Sequence, residues 1–345
     1  MQLSKLGRSS LNVSPICLGS MTWGAQNTQA QAFEQIDYAI SRGINFIDTA
    51  EMYPVPPTAQ TQGDTETIIG NYLQQRSLRN DLVIATKVAA PGGCDYIRED
   101  MHLNWRSIHQ ACEDSLRRLQ VDCIDLYQVH WPDRVAPRFG EMYYHNKPSQ
   151  QQTPILETLD ALSDLVKQGK VRYLGISNET PWGAMKYLQL AQQHGLERIV
   201  SIQNPYNLLN RSFEMGLAEV ALQEELPLLA YSPLAFGTLT GKYQQGAKPE
   251  GARLTLFDRF VRYTGTPASL KAIDDYVTLA NDHQLSPAQM ALAFVNQQSF
   301  VGSNIIGATT LSQLQHNIDS LSVHLTDKVL QEIVDLGEQH RIPCP

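Results

Sequence analysis

The sequence lacks the features that mark several common protein classes. Its five cysteines (Cys17, Cys94, Cys112, Cys123 and Cys344) form no C-x-x-C pair, which argues against a disulfide framework or a zinc site and indicates free thiols. There is no run of basic residues, and 27 Lys and Arg against 35 Asp and Glu give a net charge of −8. We therefore expect no nucleic-acid partner.

Long apolar stretches are also missing. None is long enough to span a membrane, and residues 1–5 lead directly into strand-like sequence without a basic and apolar signal segment. We therefore expect a cytoplasmic protein with no membrane partner. The 42% hydrophobic and 18% charged residues are typical of a folded chain with a substantial core. Because no linker rich in Pro, Gly and Ser divides the sequence, we predict a single domain over residues 1–345.

Short β-branched apolar runs alternate with amphipathic stretches along the whole chain, a pattern typical of β-α units with a parallel sheet. The candidate strands are residues 16–18, 44–47, 82–85, 124–127, 171–175, 199–202, 228–231 and 303–306. Eight strands are the number that closes an α/β fold into a (β/α)8 TIM barrel, which we predict here.

The stretches between the strands have helical periodicity. Apolar residues recur at three- and four-residue spacing in 30–41, 65–75 and 154–168, which predicts helices that cover the barrel from outside. Gly169 ends the last of these, and the pair Ser286-Pro287 predicts the start of a further helix.

The remaining segments are predicted to lie at the two ends of the barrel. Residues 3–15 have the pattern of an N-terminal β-hairpin that plugs the bottom. Residues 131–153 and 236–263 are predicted as long loops at the C-terminal face, where barrels carry their function. An open doubly wound sheet is the alternative, but residues 18–24 lack the G-x-G-x-x-G spacing that a dinucleotide enzyme of that fold needs.

Four polar residues stand at or just after the ends of consecutive predicted strands: Asp48, Tyr53, Lys87 and His130. The carboxyl ends of barrel strands meet at one mouth, so these side chains are predicted to converge. A phenol with a pKa near ~10 is a poor acid at neutral pH, and a neighbouring ammonium lowers that pKa. We predict that Lys87 tunes Tyr53 as a proton donor, that Asp48 keeps Lys87 charged, and that His130 gives a second hydrogen bond to an oxygen on which negative charge develops. This arrangement suits reduction of a carbonyl group.

Several segments resemble the signatures of the aldo-keto reductase superfamily. They are residues 43–53, 84–87, 125–132 and 175–178, together with the helical segment 114–119. The match runs in order over essentially the whole chain, and it is most similar to the branch that contains bacterial Tas-type reductases and the potassium-channel β subunits. The resemblance implies an enzyme that reduces aldehydes or ketones to alcohols with NADPH.

The resemblance also implies a site for NADPH or NADP, with NADH as an open alternative. Ser177, Asn178 and Gln203 are expected to hold the nicotinamide carboxamide, and Tyr231 to stack on the ring. The residues implied along the rest of the cofactor are Ser232, Leu234, Gly237, Lys242, Arg259, Gly307, Thr309, Gln313 and Asn317.

The sequence departs from many relatives at the adenosine end of this site. Those relatives place Lys or Arg at the positions of Gly307 and Gln313 to grip the 2′-phosphate, which weakens the expectation of a strict NADPH preference. The channel β-subunit branch also has Gln at the second position, and Arg253 or Arg259 is expected to supply the missing charge. NADPH is the favoured cofactor.

The substrate pocket is predicted over the nicotinamide, with walls from Trp23, Met52 and Trp131 and with Trp105 as a further candidate. An aromatic rim favours apolar or aromatic carbonyl compounds. Residues 133–153 are expected to govern substrate choice.

Two other functions are alternatives to carbonyl reduction. A metal-dependent hydrolase on the same barrel needs H-x-H or similar ligand spacing, whereas His130 is followed by Trp131 and Pro132; we expect no metal. The alternative outside enzymology is a slow or non-catalytic NADP(H)-sensing subunit that regulates a partner protein. The sequence leaves open the physiological carbonyl, the direction of flux and the oligomeric state.

Overall fold

The chain begins with a small hairpin that leads into the main sheet. The structure is a computed structural model, and it describes residues 1–76, 79, 82–145 and 152–344. Strands β1 (Ser4–Lys5) and β2 (Asn12–Val13) pair antiparallel. The predicted N-terminal hairpin is confirmed.

Eight parallel strands then close into a barrel, which confirms the predicted fold class. They are β3 (Ile16–Gly19), β4 (Phe46–Asp48), β5 (Val83–Val88), β6 (Ile124–Val129), β7 (Val171–Ser177), β8 (Ile199–Pro205), β9 (Leu228–Tyr231) and β10 (Val301–Ile306). The ladder between β10 and β3 pairs Ile305 with Cys17 and completes the ring. Each predicted strand is present with its bounds shifted by up to three residues.

The barrel interior is filled by one apolar cluster. Alternate residues of each strand point inward, so Val83 and Ala85 of β5 meet Phe46 of β4 there. Leu6 and Leu11 of the hairpin segment belong to the same cluster and are 0% and 2% exposed. The hairpin therefore plugs the bottom of the barrel, opposite the carboxyl ends of the strands.

Helices cover the outside of the barrel. They are α1 (Gln29–Ser41), α2 (Asp64–Arg76), α3 (Trp105–Leu119), α4 (Ile155–Lys167), α5 (Pro181–His194), α6 (Leu217–Gln223), α7 (Arg253–Leu256), α8 (Pro267–Asp282), α9 (Pro287–Asn296), α10 (Leu311–Asp319) and α11 (Asp327–Gln339). The Ser286 side chain accepts a hydrogen bond from the backbone of Gln289, and Pro287 is the first helical residue of α9. The start predicted from that pair is confirmed, because the cap satisfies a free N–H and Pro needs none. Gly169 has a φ of +74° after α4, which suits a glycine that ends a helix.

The two predicted loops at the C-terminal face differ from each other. Residues 131–145, 152 and 153 have no helix or strand in the described part of the first loop, and residues 146–151 of the prediction lie outside the described residues. The second loop contains 3₁₀ turns at Ala235–Thr240 and Gln244–Gly246 as well as helix α7. The prediction of a plain loop over 236–263 was therefore wrong: the turns are single and short, below the length at which periodicity is detectable.

No helix in the described part of the chain has both the length and the apolar sequence needed to cross a membrane.

Candidate active site

The four polar residues predicted to converge lie together at the C-terminal face. Asp48 ends β4 and Lys87 lies in β5, and the Lys87 Nζ donates to Asp48 Oδ2 at 2.6 Å and to the backbone oxygen of Thr49 at 2.6 Å. The same Nζ is 5.0 Å from the centroid of the Tyr53 ring. The His130 ring stands edge-on to Tyr53, with 5.9 Å between their centroids.

The second oxygen of Asp48 is held by two amides. Asp48 Oδ1 accepts from Gln203 Nε2 at 2.8 Å and from Gln128 Nε2 at 3.2 Å. All the atoms of this network are buried, and a buried carboxylate needs such donors to remain charged. Gln128 was missed by the sequence reasoning, although it stands in the quoted segment 125–132, two residues before His130.

Lys87 carries a charge in a fully buried position. Burial alone would lower the pKa of its ammonium, but Asp48 and Tyr53 outweigh that effect and the pKa is raised. This agrees with the predicted role of Asp48 in keeping Lys87 charged.

The pKa of Tyr53 moves in the opposite direction from the prediction. Burial raises the pKa of its phenol, Lys87 acts to lower it, and Asp48 acts to raise it, with a net rise above the ordinary value. Lys87 therefore has the predicted sign of effect, but the cost of placing a phenolate in a buried site exceeds it. Tyr53 is consequently protonated at neutral pH.

His130 is neutral at neutral pH. Burial and then the nearby Lys87 charge hold the pKa of its imidazole well below the usual range. Its Nδ1 is buried with no hydrogen-bond partner in the described part of the chain. Because the ring is neutral, it can carry a proton on one nitrogen and donate it as a hydrogen bond without adding charge.

The residues predicted to meet a nicotinamide amide lie beside this group, at the ends of β7, β8 and β9. Asn178 Nδ2 donates to the backbone oxygen of His130 at 2.9 Å, and its Oδ1 accepts from the Tyr231 hydroxyl at 2.6 Å. Ser177 Oγ donates to the backbone oxygen of Gln203 at 2.6 Å. These contacts fix the side chains around the mouth of the barrel.

A cavity of about 1120 Å³ extends from Asp48, Tyr53 and His130 to the start of α10, while Lys87 is buried behind its wall. Every residue predicted from the family resemblance to bind cofactor lines it: Ser177, Asn178, Gln203, Tyr231, Ser232, Leu234, Gly237, Lys242, Arg259, Gly307, Thr309, Gln313 and Asn317. At its far end Gln313 Oε1 accepts from the Thr309 backbone at 3.0 Å, and Asn317 Nδ2 donates to the Gly307 oxygen at 3.2 Å.

The predicted substrate wall is only partly at the cavity. Met52 and Trp131 line it. Trp23 does not, so that assignment was wrong: its indole is fully buried and its Nε1 donates to Gln35 of α1 at 3.0 Å. Trp105 is also elsewhere, half exposed on α3 and stacked on His109.

Further aromatic and charged groups line the cavity. Phe139 stands edge-on to Trp131, with 5.7 Å between the ring centroids; nothing in the sequence pattern singles it out, because it lies in a loop without periodicity. The charged residues that line the cavity are the cations Lys242, Arg253, Arg259 and Arg262 and the anions Asp48 and Glu250. Since Asp48 is paired with Lys87, the cavity is strongly positive in a chain of negative net charge.

Arg253 is a cation of this set that burial takes out of water without a carboxylate partner in the described part of the chain. Burial lowers the pKa of its guanidinium, and no carboxylate of the described residues lies within ion-pair distance. Its guanidinium carbon is 5.4 Å from the ring centroids of Phe236 and of Phe260. A desolvated cation packed against two rings is suited to receive an anion from a ligand.

No group of three or more His, Cys, Asp and Glu side chains is arranged to hold a metal ion among the residues that the structure covers.

Comparison with known proteins gives a consistent result. The family model described as "Aldo/keto reductase family" matches residues 15–338. The chain is 53% identical to the protein named tas from Escherichia coli (strain K12), over 100% of both chains. It is 38% identical to an aldo-keto reductase of Babesia bovis, over 76% of this chain and 98% of that one. It is 29% identical to norsolorinic acid reductase B of Dothistroma septosporum, over 94% of this chain and 78% of that one.

Proposed function

Since this chain belongs to the aldo/keto reductase family, we propose that it reduces aldehydes or ketones to alcohols with NADPH and that Tyr53 is the proton donor. Family membership makes it an NAD(P)H-dependent oxidoreductase that acts on carbonyl compounds. The preference for NADPH and the role of Tyr53 do not follow from family membership alone and are part of the proposal.

The observation that supports the proposal is the buried Asp48–Lys87 pair placed against the Tyr53 ring. When bound, the reduced nicotinamide supplies a hydride to the carbonyl carbon. The Tyr53 hydroxyl then gives its proton to the carbonyl oxygen. Lys87, 5.0 Å from the ring centroid, stabilises the phenolate that remains, and Asp48 holds that ammonium in place.

His130 has a separate task in this proposal. A neutral imidazole donates a hydrogen bond to the same carbonyl oxygen as negative charge develops there, without competing with Tyr53 as an acid. The low pKa that burial and Lys87 give His130 supports that assignment.

The residues around the mouth fit a nicotinamide cofactor. Gln203 uses its Nε2 toward Asp48 and Gln128, which leaves its Oε1 to accept from the carboxamide. Ser177 and Asn178 flank it in the cavity wall. Tyr231, whose hydroxyl is held by Asn178, offers its ring for stacking.

The surplus of positive charge supports NADPH over NADH. Lys242 and Arg253 line the cavity, and burial lowers the pKa of both, so an anionic ligand relieves the cost of desolvating them. NADPH carries one more phosphate than NADH. We therefore assign to Arg253, rather than to the more exposed Arg259, the charge that Gly307 and Gln313 do not supply.

The first experiment follows NADPH oxidation with 4-nitrobenzaldehyde for wild type and Tyr53→Phe, with NADH in parallel. We expect Tyr53→Phe to bind NADPH normally and to lose about a hundredfold or more in kcat, the usual size of a general-acid contribution. Tyr173→Phe, the same change at the bottom of the barrel, is the matched control.

Two outcomes contradict the proposal. If wild type binds NADPH and reduces nothing across a panel of carbonyl compounds, the NADP(H)-sensing subunit becomes the better hypothesis. If Tyr53→Phe keeps the wild-type rate, another group donates the proton.

A further inference from the structure

A buried ion pair stands beside the proposed proton donor and takes no part in the chemistry described so far. Arg98 Nη1 donates to both carboxylate oxygens of Glu51, at 2.9 and 2.8 Å. Glu51 is 1% exposed and Arg98 is 7% exposed. Neither residue lines the cavity, so the pair does not contact the substrate or the cofactor.

The pair is attached to the strand that carries Lys87. Ala89, the first residue after β5, donates its backbone N–H to Glu51 Oε1 at 2.6 Å, and its backbone oxygen accepts from Arg98 Nη2 at 2.8 Å. The backbone N–H and the backbone oxygen of Ala89 are therefore both satisfied by the ion pair, one by each member.

The same pair is attached to the turn that carries Tyr53. Glu51 is two residues before Tyr53, and its backbone N–H donates to the Lys87 oxygen at 3.3 Å. Gln62 Nε2 donates to the backbone oxygen of Glu51 at 2.7 Å, and the Tyr53 N–H donates to the backbone oxygen of Ala50 at 3.0 Å. The Glu51 side chain continues the pairing with β5 where the backbone of the turn leaves it.

We propose that Glu51 and Arg98 are positioning residues that set the separation between Tyr53 and Lys87. This inference rests on the proposed role of Tyr53 as proton donor. Lys87 is carried by the end of β5 and Tyr53 by the turn after β4. The ion pair joins these two segments directly.

Energetics favour a geometric role over a purely stabilising one. Two buried charges lose hydration that their mutual attraction only partly returns, and an apolar pair of the same volume often stabilises a fold as well or better. Burial raises the pKa of Glu51, while Arg98 and the Ala89 N–H act to lower it. Charge-assisted hydrogen bonds among Glu51, Arg98 and the Ala89 backbone fix the relative orientation of these groups, which an apolar contact would leave free.

The consequence for Tyr53 follows from the groups that face it. These are Lys87, Asp48, His130, Arg253 and Tyr231. Of these groups, Lys87 has the largest stabilising effect on the phenolate. If the turn moves away from β5, that effect becomes weaker. The pKa of Tyr53 then rises further, and a weaker acid transfers its proton more slowly.

The test measures kcat in Glu51→Gln and in Arg98→Lys, each made in the wild type and in Tyr53→Phe. Arg98→Lys keeps the charge but offers no fork to hold Glu51 and Ala89 together. We expect about a tenfold loss of kcat for each in the wild-type background, the scale of a sub-ångström misplacement. In the Tyr53→Phe background we expect no further loss. Calorimetry should give an unchanged Kd for NADPH.

The pH profile supplies an independent readout. Reduction needs Tyr53 protonated, so kcat falls as pH rises through the pKa of Tyr53 in the complex. In the Glu51→Gln variant that fall should move to higher pH, because the phenolate has lost stabilisation. Glu214→Gln, which removes a carboxylate from the two-contact pair with Arg211, is the matched control and should leave both the rate and the profile unchanged.

The results separate the two ideas. Equal losses in both backgrounds, an unchanged alkaline limb, or an effect confined to the Kd of NADPH would overturn the positioning role while Tyr53 keeps its own. A Tyr53→Phe variant with full activity would instead remove the proposed function, and the positioning role with it.

Discussion

At the residue scale, the chemistry depends on which charges are compensated. Lys87 and Asp48 neutralise each other at 2.6 Å, so their pair adds little net charge to the cavity, whereas Arg253 has no carboxylate partner in the described residues. The cavity thereby keeps its attraction for an anion while the proposed proton donor has a fixed neighbour.

Gly307 provides a prediction at this scale. A Cβ placed on it meets no atom within 4 Å, so a side chain can leave the backbone there without a clash at its first carbon. Gly307→Lys should lower the Kd of NADPH by about three- to tenfold, the effect of one added phosphate contact, and leave the Kd of NADH within about twofold. Calorimetric titration of both cofactors measures it, with Gly307→Gln as the uncharged control. An equal change for both cofactors would show that the 2′-phosphate lies elsewhere.

At the element scale, the strands and helices were predictable and the loops were not. A strand such as residues 124–129 was predictable because four of its six buried residues, Ile124, Leu126, Tyr127 and Val129, are apolar, as expected of a barrel strand covered on both faces. Its carboxyl end then fixes where His130 must be. Loop residues have no such constraint, so Phe139 went unnoticed. Trp23 was misplaced because proximity to a strand end does not tell which way a side chain turns.

Substitutions at the two ends of the barrel should therefore affect stability and activity separately. Leu11→Ala removes a buried side chain at the bottom of the barrel and should lower the free energy of unfolding by ~2–4 kcal/mol, with kcat and KM unchanged. Trp131→Ala, at the opposite end, should raise KM for an aromatic aldehyde by about tenfold, the cost of one lost apolar contact in a pocket. Urea unfolding and steady-state kinetics measure the two. A large loss of kcat in Leu11→Ala would contradict this division.

At the scale of the whole molecule, a positive cavity opens in a chain of net charge −8. The concentration of cations around one ligand path gives the binding step a dependence on salt that the average charge would not suggest. The family resemblance points to Lys242, Arg253 and Arg259 one by one, and the fold shows that the loop after β9 brings all three to the wall of one cavity.

The Kd of NADPH should accordingly rise as NaCl increases from about 0.05 to about 0.5 M, since added salt screens the interaction of its phosphates with the cavity. The Kd of NADH, which lacks the 2′-phosphate, should rise less. The Arg253→Gln variant should bring the two salt dependences together. Parallel slopes for both cofactors in the wild type would contradict the assignment of Arg253.

The four tryptophans, all of which the structure describes, differ in where they stand. Trp23 is fully buried, Trp105 and Trp182 are exposed, and Trp131 alone among them lines the cavity. When tryptophan is excited selectively at the red edge of protein absorption, Trp131 is therefore the one tryptophan that emits from the cavity wall. Quenching of that emission reports occupancy of the mouth without any label, so the fold contains its own optical probe of binding.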